Sequence, residues 1–145
     1  MTNMKPILLA EDNEDDVFLI QRAFQEARTA NPLQVVHNGD DAIEYLSGAG
    51  KFADRSRHPF PALFLLDLKM PGRDGLAVLR WLNEHPEIPR KLPVVVLSSI
   101  ELPEETQLAY AMDVQSCIVK PISFAELRER IRILKEYWLD HEPVG

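Results

Sequence analysis

Residues 62–75 read ALFLLDLKMPGRDG. An apolar run from Ala62 to Leu66 ends on Asp67, and turn signals follow at Met70-Pro71 and Asp74-Gly75. A short continuous apolar run bounded by turn residues reads as a strand buried on both faces. Burying a carboxylate at the end of such a strand is costly unless something shares its charge. What surrounds Asp67 therefore decides both the fold and the chemistry.

The same pattern recurs on either side. Ile7–Ala10 is a short apolar run closed by EDNEDD, and Leu33–Val36 is a second. Val94–Leu97 is the most β-branched, and Ser116–Val119 is the last. Between them lie helical periodicities. Val17, Ile20, Phe24 and Ala27 predict a first helix over residues 15–29, broken by Asn31-Pro32. Asn38-Gly39 reads as a turn, with Asp40 as cap of a short helix carrying Ala42, Ile43 and Leu46. Residues 48–61 show no periodicity and read as a long surface loop. Leu76, Leu79 and Leu82 predict a third helix ended by His85-Pro86, and Leu108, Ala109 and Met112 a weak fourth. Ser123 and Glu126 form a capping box for a last helix. Its stripe is Phe124, Leu127, Ile131, Leu134 and Trp138, at steps of three and four. Trp81 is expected to pack against the long loop. Five alternations of strand and helix predict an α/β fold with a parallel sheet covered by helices on both faces.

Composition sets the boundaries. With 145 residues the chain is one domain by length. A domain of this size buries roughly two thirds of its unfolded surface and needs no covalent staples. Cys117 is the single cysteine, so no disulfide framework exists within the chain, and a reducing, cytoplasmic setting is expected. A net charge of −7 without a Lys/Arg block argues against nucleic acid as a direct partner. No signal peptide and no stretch long enough to span a bilayer is read.

In a parallel α/β sheet, ligands sit beyond the carboxyl ends of the strands. Glu11 and Asp12 follow the first strand, Asp67 ends the third, Ser98 and Ser99 follow the fourth, and Lys120-Pro121 follows the fifth. Each residue has an ordinary reading. The two acids can be a solvated helix start, Asp67 can bond the next turn, Ser98 can cap a strand end, and Lys120 can snorkel. Together at one rim they make a set that local composition does not explain. Clustered carboxylates require a cation, and an all-oxygen set suits Mg²⁺. Asp67 then reads as a nucleophile forming an acyl phosphate, with Mg²⁺ and Lys120 offsetting the charge of the transferred group.

At these residues the chain resembles the receiver domain of two-component response regulators. LLAEDNEDD, LLDLKMPGRDG, VVVLSS and CIVKP fall in the family's order. The loop at 48–61 and HPEIPRKLPVVVLSS most resemble the stand-alone regulators paired with cyanobacterial and bacterial phytochromes. The resemblance implies a doubly wound (βα)5 sheet in the flavodoxin-like order 2-1-3-4-5. It implies Asp67 as phosphoacceptor, Asp12 as direct Mg²⁺ ligand, Glu11 acting through water, and the Lys69 carbonyl as a further ligand. Ser98 is the implied switch hydroxyl and Lys120 the phosphate partner, aimed by a cis bond to Pro121. One position departs: Cys117 stands where the family usually carries an aromatic, which puts the usual hydroxyl-to-aromatic coupling in question. Cys117 itself reads as a buried inert thiol rather than a redox sensor. Lys69 and Ile100 would flank the mouth without positioning a water, so slow self-dephosphorylation is expected.

The expected organisation is a receiver domain over 1–138, a tail over 139–145, and no output domain. Output is then protein contact. The implied partners are a sensor histidine kinase of the bacteriophytochrome type and a downstream phosphotransfer protein. Family members often pair through the face of the fourth helix, fifth strand and fifth helix; Ile133 and Tyr137, beside the apolar stripe, read either as a seam for a second copy or as ordinary exposed apolar residues. The competing enzyme reading, a Mg²⁺-dependent phosphatase with an Asp nucleophile, expects a second Asp where Lys69 stands. A degenerate receiver would lack a member of the set, and none is missing. A nucleotide fold would carry a Gly-rich phosphate loop, and none occurs.

Overall fold

The computed structural model describes residues 5–68, 75–88, 92–98, 116–119 and 123–140. Lys69, Ser99, Ile100, Lys120, Pro121 and the expected helix around Leu108–Met112 lie outside these. Five strands, β1 (Ile7–Ala10), β2 (Leu33–Val36), β3 (Leu63–Asp67), β4 (Val94–Ser98) and β5 (Ser116–Val119), form one sheet in the order β2-β1-β3-β4-β5. All the pairings are parallel. The order expected from the resemblance is the order observed.

Side chains alternate across a strand, and here both faces are apolar. Ile7, Leu9, Leu63, Leu65, Val95 and Leu97 face one side. There they meet Ile20, Ala23 and Phe24 of α1 (Glu14–Glu26) and Ile131 and Leu134 of the C-terminal helix (Phe124–Leu134). Leu8, Ala10, Phe64, Leu66, Val94 and Val96 face the other, against α2 (Gly39–Ser47) and α3 (Gly75–Glu84). That two-sided burial is why the strands read as continuous apolar runs rather than alternating ones. The whole predicted stripe of the C-terminal helix, Phe124 to Trp138, lies in or against the first of these layers. Ser123 caps that helix, its Oγ accepting from the Glu126 N–H at 3.2 Å.

Helix ends differ from expectation for local reasons. Asn13 caps α1 by accepting from the Asp16 N–H at 3.0 Å, so the helix starts at Glu14. It stops at Glu26 because Arg28 turns left-handed (φ 59°). The Arg28 N–H then reaches Gln25 O and the Thr29 N–H reaches Phe24 O, a Schellman closure. For α2 the cap is Asn38, not Asp40: Asn38 Oδ1 accepts from the Asp41 N–H at 2.7 Å. Gly48 closes α2 in the left-handed region (φ 67°), where a side chain is disfavoured.

The segment 48–61 is more than a surface loop. Gly50–Phe52 forms a 3-10 turn and buries Phe52. Arg55 donates to the Tyr45 carbonyl at 2.7 Å and the Leu46 carbonyl at 3.0 Å, satisfying the last turn of α2. The Tyr45 hydroxyl donates to the Pro59 carbonyl at 2.9 Å, and burial pushes its titration upward. The rings of Tyr45, Phe52 and His58 meet edge-on or tilted. Aromatic contact of this kind needs no periodicity, so the pattern reading missed it. Trp81 packs against the same layer and stacks on His85 with centroids 4.3 Å apart.

Across the other face, α1 and the C-terminal helix are tied by charge. Glu26 accepts from Arg22 at 3.0 Å and from Arg128 at 3.2 Å. Arg22 also lies over the Phe124 ring. Hydrogen bonds from Arg128 and then Arg22 hold the Glu26 carboxyl below its ordinary range. After Leu134 the chain widens into a π-turn, Lys135–Leu139, that seats Trp138 and Leu139 on the core and leaves Tyr137 exposed.

Candidate functional site

The site is built by strand register. β1 and β3 pair with Ala10 opposite Leu66, so Glu11 emerges beside Asp67. β3 and β4 pair with Asp67 opposite Leu97, which puts Ser98 one residue further along the same rim. Ser98 in turn faces Val119, the residue before Lys120. One rim thus collects the strand ends that the sequence singled out. Lys69 and Lys120 themselves lie outside the described residues.

Glu11, Asp12 and Asp67 come together in space. Each offers a carboxylate oxygen, and the three oxygens lie within 4.8 Å of one another. Glu11 is fully buried, Asp67 is 4% exposed and Asp12 is open to solvent. A solvated helix start therefore describes Asp12 but not Glu11. Glu11 is held from three sides: its N–H donates to the Val36 carbonyl, its carbonyl accepts from His37 Nδ1 at 3.3 Å, and its Oε1 accepts from the Asn13 N–H at 3.2 Å. Asn13 thus does two jobs, starting α1 and fixing Glu11. Sequence reading had not singled it out, although an Asn three residues before Asp16 is an N-cap signal.

The acids line an open cleft of about 690 Å³ together with Asn13, Glu14, Asp15 and Asp16. The N-terminus of α1, with its positive dipole end, borders this cleft, and the Asn13 N–H just before it bonds Glu11. That partial charge does not balance three carboxylates at such range, so a cation is the fitting complement. The donors are hard oxygens, two buried and one exposed to solvent, and the cleft has room for water. This suits a hard divalent ion that keeps part of its hydration shell, and the residues present fit it.

A second feature, Gly75, sits against the site's backbone. The first residue of α3, it donates its N–H to the Leu68 carbonyl at 3.2 Å. Further off, Ile133 and Tyr137 are exposed, as expected beside the stripe, and so is Phe18 on α1. Among the described residues no helix is long and apolar enough to cross a membrane.

Comparison with known proteins agrees with this geometry. Residues 7–132 match the response regulator receiver domain. The probable methanogenesis regulatory protein FilR2 of Methanothrix harundinacea is 34% identical over 133 residues, covering 92% of this chain and 83% of that protein. The phosphorylated cyanobacterial phytochrome response regulator RcpA superposes with a TM-score of 0.85 at 32% identity, covering 97% of each chain. The Mn²⁺-bound form of response regulator Rcp1, a protein of Synechocystis, superposes with a TM-score of 0.83 at 28% identity, over 97% of this chain and 99% of that one. This chain belongs to the response regulator receiver family.

Proposed function

We propose that this receiver-family chain is a response regulator that takes a phosphoryl group from a histidine kinase onto Asp67. The observation that carries the reading is the convergence of Glu11, Asp12 and Asp67 within 4.8 Å at the end of a buried central strand. The covering of RcpA and Rcp1 along nearly their whole length supports it.

In the proposed step an Asp67 carboxylate oxygen attacks the phosphorus of a phosphohistidine. The O–P bond forms, the N–P bond breaks, and the electron pair stays on the departing imidazole, which takes up a proton. Burial keeps Asp67 at one depth, and the β1–β3 register keeps Glu11 beside it. Glu11, Asp12, Asp67 and the Lys69 carbonyl would hold a divalent ion, Mg²⁺ in the cell, which supplies charge neutralisation at the transferred oxygens. Ser98 and Lys120 would contact the phosphoryl oxygens from the ends of β4 and β5. The protein is a phosphoacceptor, not a turnover enzyme.

We place the receiver domain at residues 1–138 and the tail at 139–145. Output would run through contact with a downstream phosphotransfer protein, or with a second copy through the face that includes Ile133 and Tyr137. The likeness to RcpA supports a phytochrome-type kinase as donor, whereas FilR2 belongs to another context by name. A panel of kinases, assayed in red and far-red light, separates the two inputs.

The deciding experiment is intact mass of the chain and of Asp67→Asn after incubation with acetyl phosphate, with and without Mg²⁺. A Mg²⁺-dependent phosphoryl adduct on the natural chain alone is expected. An adduct on neither protein overturns the reading.

A further inference from the structure

The backbone of Gly75 is not left-handed. Its lack of a side chain therefore serves space rather than conformation. A Cβ at Gly75 would lie 2.4 Å from Leu68 Cα, 2.5 Å from the Asp67 carbonyl oxygen and 2.9 Å from the Leu68 carbonyl carbon. All three atoms are backbone, so no rotamer change relieves the clash. The start of α3 thus rests directly on the peptide that follows the Asp67 side chain.

Neither side of this contact yields easily. β3 is a central strand with ladders to β1 and β4, and the Leu68 N–H is bonded to the Leu97 carbonyl at 3.2 Å. On the helix side, Val78, Leu79 and Leu82 are buried in the core. The bond from the Gly75 N–H to the Leu68 carbonyl closes the same contact. From these distances we propose that Gly75 is a positioning residue for the phosphoacceptor site. Its bare Cα lets α3 brace the Asp67–Leu68 peptide, and this sets how far the Asp67 carboxylate projects toward Glu11 and Asp12. The assignment rests on the reading of Asp67 as phosphoacceptor, but its consequence is geometric and can be read in the protein before any phosphoryl transfer.

A substitution at Gly75 must displace something by the better part of an ångström. If the peptide moves, the carboxylates lose their mutual geometry and the site suffers beyond any loss of stability. If only α3 moves, the protein is destabilised and the site is unchanged. The test compares Gly75→Ala with Leu82→Ala, which weakens α3 at its far end without touching the Asp67 peptide. Two properties are measured: Mn²⁺ affinity by calorimetry, and the 13Cγ chemical shift of Asp67 in the metal-free protein at fixed pH. Gly75→Ala is expected to bind Mn²⁺ about 10- to 100-fold more weakly and to shift the Asp67 resonance. Leu82→Ala is expected to melt earlier yet keep both properties. Natural affinity and resonance in folded Gly75→Ala, or equal losses in Leu82→Ala, overturn the proposal.

If Gly75→Ala does not fold, hydrogen exchange of the natural protein decides. Mg²⁺ should slow exchange of the Gly75 amide, and an unchanged rate overturns the proposal. A natural chain that takes no phosphoryl group from acetyl phosphate would defeat the functional reading instead, and the Asp67 resonance would still judge Gly75.

Discussion

Glu11 and Asp67 stand side by side at the rim of the sheet, although 56 positions of sequence separate them, because Ala10 pairs with Leu66 in the parallel β1–β3 ladder. Two nearly buried carboxylates side by side repel each other, and a cation beside them offsets that repulsion. On the proposed reading, that pair is where a divalent ion and a phosphoryl group would be held.

Metal binding should therefore appear as thermal stability. At a free Mg²⁺ concentration 100 times Kd, the folded state gains about 2.7 kcal/mol by mass action. Scanning calorimetry should show a higher Tm with Mg²⁺ for the natural chain and little change for Asp67→Asn or Glu11→Gln. The metal-free Asp67→Asn protein should melt above the metal-free natural chain, since the repulsion is gone. An equal Mg²⁺ shift in all three proteins would place the ion elsewhere.

Asn13→Ala removes the cap of α1 but leaves the backbone N–H that holds Glu11. A lost N-cap costs about 1 kcal/mol. Urea unfolding should show that loss, with phosphoryl uptake from acetyl phosphate retained. An abolished uptake would mean that the Asn13 side chain acts in the site directly.

Tyr45→Phe deletes the hydroxyl bonded to the Pro59 carbonyl, at the end of the sheet opposite the acids. A hydrogen bond of this kind contributes about 1 kcal/mol. Stability should fall by that order while Mg²⁺ affinity stays the same. Limited proteolysis should cut the 48–61 segment faster in the variant.

Acid should loosen the tie between α1 and the C-terminal helix. The Glu26 carboxyl is held below its ordinary value of 4.5 by Arg128 and Arg22. A group depressed in the folded state stabilises above its unfolded value, and the contribution is lost as pH falls through the folded one. Glu26→Gln should therefore be slightly less stable than the natural chain at neutral pH and equal to it in strong acid. Because the group is exposed, the gap should shrink in high salt. A gap that widens in acid would contradict this.

Once formed, the acyl phosphate should persist. The resemblance puts Lys69 and Ile100 at the mouth, and neither a lysine nor an isoleucine side chain is expected to position a water there. Decay followed by intact mass after removal of the phosphodonor should be slow, and loss within seconds would refute the expectation.

Much was legible in the chain itself because it depends on local pattern. A run such as ALFLL, short and bounded by turn residues, reads as a strand with both faces buried, and Phe124-Leu127-Ile131-Leu134-Trp138 reads as a one-sided helix. Strand ends followed by Glu11, Asp67 and Ser98 marked the rim, since in a parallel sheet all carboxyl ends lie together. Three-dimensional contacts decided the rest. Arg28 ends α1 by turning left-handed, which no apolar period announces. The 48–61 segment folds onto Tyr45 through Arg55 and aromatic contacts that have no repeat. The burial of Glu11, as against the exposure of neighbouring Asp12, follows from the β1 pleat and from hydrogen bonds to residues near 36 and 37. And the need for glycine at 75 exists only because α3 lands on the backbone of Asp67 and Leu68. Sequence specifies which surfaces must be buried, whereas the distance between two backbones is set only when the layers have packed.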